Sequence, residues 1–195
     1  MKNVPKSLLM TAALAAFVLP ATAQNTNSPR IDQREQNQQQ RIGEGVEDGS
    51  LTAGEATRLE RKEAAINREE RRMKADGNLT PQERARLTHQ QDVMSRRIYA
   101  SKHDAQRQNM HPRTEIGERK ENQQRRIGEG IENGSLTPRE ASRLERKEAA
   151  LNRETRQMRA ENGGTLTPAE KAKVNRQQNH LSRDIYHEKH DRQHR

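Results

Sequence analysis

The residues best suited to chemistry are three histidines near the carboxyl end of the chain. His187, His190 and His194 are spaced i, i+3, i+7, which sets them on one helical face with Glu188 and Asp191 beside them. Neutral imidazoles so placed are ligands for zinc, copper or nickel. Against this, the cluster occupies the last turns of the chain, where a solvated helix face has the same composition. A second donor set is built from oxygen. Asp48 and Glu55 flank a Gly-Ser-Leu-Thr turn and are the candidate ligands there for a divalent metal. No cofactor is expected beyond such a divalent metal. Cysteine is absent, which removes thiolate ligands, thiol nucleophiles and disulfides. Phosphate loop, nucleophile elbow and H-E-x-x-H are missing too. With only 28% hydrophobic residues, the chain is poorly equipped to enclose a dry, pKa-shifting pocket, so an enzyme is not expected.

The elements that would position these groups are legible from a duplication. Arg41-Ile-Gly-Glu-Gly-Val-Glu-Asp-Gly-Ser-Leu-Thr52 recurs as Arg126-Ile-Gly-Glu-Gly-Ile-Glu-Asn-Gly-Ser-Leu-Thr137. Arg58-Leu-Glu-Arg-Lys-Glu-Ala-Ala65 recurs as Arg143 to Ala150. After a two-residue insertion near Gly163-Gly164, Thr80-Pro81 answers Thr167-Pro168 and Ile98-Tyr99 answers Ile185-Tyr186. The expected organisation is a signal peptide at 1–23, a disordered tail at 24–30, one unit at 31–108, a linker at 109–114 and a second unit at 115–195.

Within the units a turn signal, G-x-L-T-x-x-E, occurs four times. Its physics is local. Glycine ends one helix in the left-handed conformation that other residues resist. Threonine then caps the next helix, and the glutamate three residues on folds back to the threonine N–H in a capping box. Proline follows the threonine in three of the four copies, where its missing N–H costs nothing. Between these signals the apolar residues keep helical spacing: Ala56, Leu59, Ile66 and Met73, repeated as Ala141, Leu144, Leu151 and Met158. Leu87, Met94 and Ile98 do the same, repeated as Val174, Leu181 and Ile185. The fold class is therefore all-α, two tandem three-helix units, with helices near 31–47, 53–74 and 81–107 in the first. Arginine, lysine, glutamate and glutamine are expected to fill the surface. So thin a seam leaves partial disorder and a homodimer open as alternatives.

The turn resembles an EF-hand loop in part. With Gly49 at the invariant glycine, Asp48, Leu51, Thr52 and Glu55 fall where that pattern has them. The first and third ligand positions depart from it, holding Glu44 and Val46 in one loop and Arg72 and Lys74 in the next. The segments Leu51-Thr52-x-x-Glu55, Leu79-Thr80-x-x-Glu83, Leu136-Thr137-x-x-Glu140 and Leu166-Thr167-x-x-Glu170 also resemble the L-T-x-x-Q signature of small Spy-like periplasmic proteins. That likeness implies an all-helical exported protein that cradles unfolded clients or senses metals, with glutamate here in place of the glutamine.

Destination and partners follow from charge. Lys2 and Lys6, the apolar run Leu8–Leu19, Pro20 and Ala21-Thr22-Ala23 read as a signal peptide cut between Ala23 and Gln24. The apolar run falls short of the ~20 residues a bilayer span needs, and no later segment approaches it. A periplasmic or secreted location is expected, with no transmembrane segment in the mature chain. The net charge of +9 becomes +7 without Lys2 and Lys6. Acids and bases alternate, as in Arg58, Glu60, Arg61, Lys62 and Glu63, which makes a solvated face rather than a phosphate-binding stripe. With Tyr99 and Tyr186 the only aromatics after the leader, nucleic acid is not an expected partner. A protein or an anionic envelope component is.

Overall fold

The structure, a computed structural model, describes residues 26–107 and 114–192. The leader with its cleavage point, the link at His111-Pro112 and His194 lie outside the described residues. Six α-helices run in chain order: α1 Pro29–Glu47, α2 Ala53–Met73, α3 Pro81–Lys102, α4 Glu115–Glu132, α5 Pro138–Glu161 and α6 Pro168–Lys189. A single 3-10 turn, Lys74–Asp76, extends α2. The protein is all-α, three helices to a repeat. None of the helices described is long and apolar enough to cross a membrane.

All four turns close as their residues dictate. Gly49, Gly77, Gly134 and Gly163 adopt positive φ between 62° and 79°. Thr52, Thr80, Thr137 and Thr167 then form full capping boxes with Glu55, Glu83, Glu140 and Glu170. Two boundaries differ from expectation. Helix α1 starts at Pro29, inside the segment read as tail, because Pro29 is preset for a helix and the Ser28 carbonyl accepts from the N–H groups of Ile31 and Asp32. Helix α3 stops at Lys102 rather than 107. There His103 Nδ1 lies 2.8 Å from the Tyr99 carbonyl, and the Gln106 N–H turns back to Asp104 Oδ1 at 2.8 Å.

The apolar stripes are buried, with Met73 packed at the edge. The other repeat covers α1, α2, α4 and α5, while α3 and α6 pack on helices of their own repeat. The most extensive packing joins α1 to α4 and α2 to α5, and one apolar core draws on both repeats. Equivalent positions meet each other. A Cβ on Gly43 would lie 2.8 Å from the Gly128 carbonyl oxygen, and one on Gly128 would lie 2.8 Å from that of Gly43. Only glycine lets the two helices approach so closely. On the next pair of helices the Ser142 hydroxyl donates to the Thr57 carbonyl at 3.5 Å, across 85 residues of sequence. A local two-fold axis thus passes between Gly43 and Gly128 and between Thr57 and Ser142. The second repeat occupies the place a dimer partner would take.

Glutamine is not confined to the surface, contrary to the sequence expectation. Gln38 Nε2 donates to the Gln91 carbonyl and to Ser95 Oγ, both at 2.8 Å, joining α1 to α3. Gln123 does the same between α4 and α6, reaching the Gln178 carbonyl at 2.7 Å and Ser182 Oγ at 2.8 Å. In a chain with few large apolar residues, buried amides complete the interior, and each directional bond fixes the register of the helices it joins. Seven buried glutamates, Glu55, Glu60, Glu63, Glu70, Glu140, Glu145 and Glu148, break the same expectation.

Candidate functional site

Of the expected metal ligands, Glu55, Asp48 and His190 make hydrogen bonds within the fold. Glu55 is buried, and its Oε2 accepts from the Thr52 N–H at 2.9 Å and the Thr52 hydroxyl at 2.7 Å. Asp48 Oδ1 accepts from the Ser50 N–H at 2.7 Å, which shapes the turn. At the other end, His190 stacks on Tyr186 with ring centroids 4.2 Å apart, and its Nδ1 lies 2.7 Å from the Tyr186 carbonyl. His103 stacks on Tyr99 in the same way at 4.1 Å. The Tyr-His pair is a helix ending used in both repeats. His187 meets Tyr186 edge-on at 5.9 Å.

Among the described residues, one group of three metal-ligating side chains converges, Glu140, Glu188 and Asp191. Sequence reading passed it over because Glu140 belongs to a different helix. Glu140 is also the capping glutamate of α5, and Glu188 accepts from Arg143 at 2.9 Å. Burial, then the nearby Glu140 and Asp191 charges, raise the Glu188 carboxyl above its ordinary value despite Arg143.

Two carboxyls in the interior of repeat 2 are raised. Burial pushes Glu145 well up, the neighbouring Glu148 charge adds to this, and a hydrogen bond from Gln124 opposes it. Burial likewise raises Glu148 to about 7, against the pull of Lys120 and a hydrogen bond from Asn152. Helix α4 supplies Gln124 and Lys120 one turn apart, so it presents an amide to one carboxyl and an ammonium to the other.

Beside this pair lies a cavity of about 550 Å³ between α4, α5 and the turn into α6. Lys120, Arg156, Arg159 and Lys171 line it, and Glu115 is the one carboxylate in its wall. Glu115 is itself paired with Arg119 at 3.0 Å. Ile116, Leu151 and Leu166 supply the apolar part of the wall. These three belong to a small cluster separate from the main core, whereas their counterparts Ile31, Ile66 and Leu79 are part of that core. Burial holds the Lys120 ammonium below its ordinary value, and repulsion from Arg156 and Arg159 adds to this, against the attraction of Glu148. No carboxylate among the described residues lies within ion-pair distance of Arg156, Arg159 or Lys171. A chain this poor in apolar residues was not expected to enclose such a space. Four of the sixteen lining residues are lysine or arginine, and their methylenes add apolar surface to that of Ile116, Leu151 and Leu166.

The same place in repeat 1 is built differently. Lys74, which corresponds to Arg159, pairs with Glu70 at 2.7 Å and Asp32 at 3.6 Å. Burial pulls Lys74 down, but the two carboxylates outweigh it and leave its ammonium raised. In repeat 2, Thr155 stands for Glu70, Gly117 for Asp32 and Lys120 for Glu35. Three acids are gone and one cation is added. No family model, curated protein or solved structure matches the chain.

Proposed function

We propose that this is an exported, non-catalytic binding protein whose partners are anionic: acidic segments of client proteins or charged components of the cell envelope. The observation that carries the reading is the cluster of Lys120, Arg156, Arg159 and Lys171 around one cavity in a chain of net charge +9. Like charges repel one another there, and a bound anion relieves that repulsion as it binds. The leader-like residues 1–23 and the resemblance to Spy-like periplasmic proteins support the location and a chaperone-like use.

The purified chain is expected to suppress aggregation of a denatured acidic client in proportion to its concentration, and less at high salt than at low. Aggregation that proceeds unchanged at every ratio of chain to client removes the reading.

A further inference from the structure

The cavity of repeat 2 has two kinds of wall, and their combination narrows what fits it. On one side stand four cationic side chains. On the other, Ile116, Leu151 and Leu166 form an apolar patch detached from the main core. A bare inorganic anion would satisfy the first wall and leave the second in contact with water. An uncharged hydrocarbon would satisfy the second and leave Arg156, Arg159 and Lys171 without a counter-charge. We propose that this cavity is a binding site for an amphiphilic organic anion, a carboxylate or phosphate head on an apolar chain, with the head against Arg156, Arg159 and Lys171 and the chain against Ile116, Leu151 and Leu166.

This rests on the binding reading above and gives its site a ligand class. Two independent comparisons within the molecule lead to it. The first is chemical. At equivalent positions repeat 1 carries Asp32, Glu35 and Glu70, and its Lys74 is held in ion pairs. Repeat 2 carries Gly117, Lys120 and Thr155, and among the described residues no carboxylate lies within ion-pair distance of its Arg159. The second is one of packing. Ile31, Ile66 and Leu79 close onto the main core, while the same three positions of repeat 2 face the cavity. Thr155 does not substitute for the lost acid, because its hydroxyl donates to the Leu151 carbonyl at 2.8 Å. The volume of about 550 Å³ suits a small organic molecule. Planar guanidinium groups favour a head with two or more acceptor oxygens.

The test is calorimetric titration of the purified chain with decanoate, decyl phosphate, inorganic phosphate and decanol. Decanoate or decyl phosphate should bind with a dissociation constant on the order of 10–100 µM, weakening as salt rises. Whichever of the two is tighter identifies the head. Inorganic phosphate and decanol should each be at least about tenfold weaker, as either wall alone would hold them.

The decisive variant restores repeat-1 residues, Gly117→Asp with Thr155→Glu, and should lose binding by tenfold or more with its helical circular dichroism intact. Where that variant misfolds, Arg156→Gln with Arg159→Gln, both on the helix surface, serves in its place with the same expected loss. Equal affinity for decanol and decanoate, equal affinity of variant and parent, or no binding of either amphiphile overturns the assignment. A chain that takes up neither amphiphile yet still protects an acidic client leaves the general binding reading standing and removes only the site.

Discussion

Repeat 1 and repeat 2 share their capping boxes, turn glycines, buried glutamines and Tyr-His endings. They differ in the start of the first helix, where Ser28 makes no side-chain cap and Thr114 accepts from the Gly117 N–H, and in how their basic residues are paired. At the far end of α2 and α5 they part. Repeat 1 neutralises its basic residues with Asp32 and Glu70, and repeat 2 leaves Arg156 and Arg159 around a cavity. The shared core and the unpaired cations therefore lie at different places in the same plan. The main core runs from the two-fold axis out to Ile31, Ile66 and Leu79 of repeat 1, whereas the matching residues of repeat 2 form a separate cluster.

The comparison breaks most completely when the repeats are parted. Fragments 26–107 and 114–192, prepared separately at low micromolar concentration, should each lose most of their helical circular dichroism and recover it on mixing. A fragment that is fully helical and monomeric alone would show that the cross-repeat core is dispensable.

Next in size is the crossing of α1 and α4. Gly128→Val should destabilise the chain by about 3 kcal/mol in urea titration, since its Cβ would meet the backbone of α1 and backbone cannot turn aside. Gly54→Ala, whose nearest neighbour is the flexible Arg58 at 3.7 Å, should stabilise by about 0.5–1 kcal/mol instead. Equal and small effects at both sites would remove the special role given to the crossing.

The buried carboxyl of repeat 2 should make stability depend on pH. Glu148 titrates near 7 in the folded chain and near 4.5 when unfolded, so between those values the folded state retains a proton the unfolded state has released. Stability should fall as pH rises through that window and level off above it, by at most about 3 kcal/mol. Glu145, raised for the same reason, acts in the same direction. Glu148→Gln should flatten the profile of melting temperature against pH, and a profile identical to the parent's would refute the assignment.

The smallest effect concerns metals. Because Glu55 and Asp48 are committed to their turn and His190 to Tyr186, zinc, copper, nickel and calcium at submillimolar concentration should leave the melting temperature within about 1 °C. A rise of several degrees with any one of them would restore the histidine face or the turns as a site.

Local physics was legible at the four turns, though not at the start of α1 or the end of α3. A glycine that stops a helix, a threonine that caps the next and a glutamate that closes the box all act within a few positions of one another, and all four turns form that way. The apolar stripes were legible for the same reason, since helical spacing leaves a mark in sequence. Partnering was not. Ile-Gly-Glu-Gly stood out only as evidence of duplication, although Gly43 and Gly128 meet across the axis and Gly45 and Gly130 make room for Leu51 and Leu136. Nor did Gln38 and Gln123 announce themselves, because glutamine is equally at home on a solvated helix. The cavity had a signal that went unused, namely the positions where the two copies disagree in charge: Asp32 against Gly117, Glu35 against Lys120, Glu70 against Thr155.

The axis between Gly43 and Gly128 has one more consequence. In a unit that pairs with a second copy of itself, every substitution is made twice, once on each side, so a side chain cannot be lost from one end without being lost from both. Joining the copies in one polypeptide lifts that restriction. Each half then changes alone, and one can surrender charge balance to hold a ligand while the other keeps the pair together.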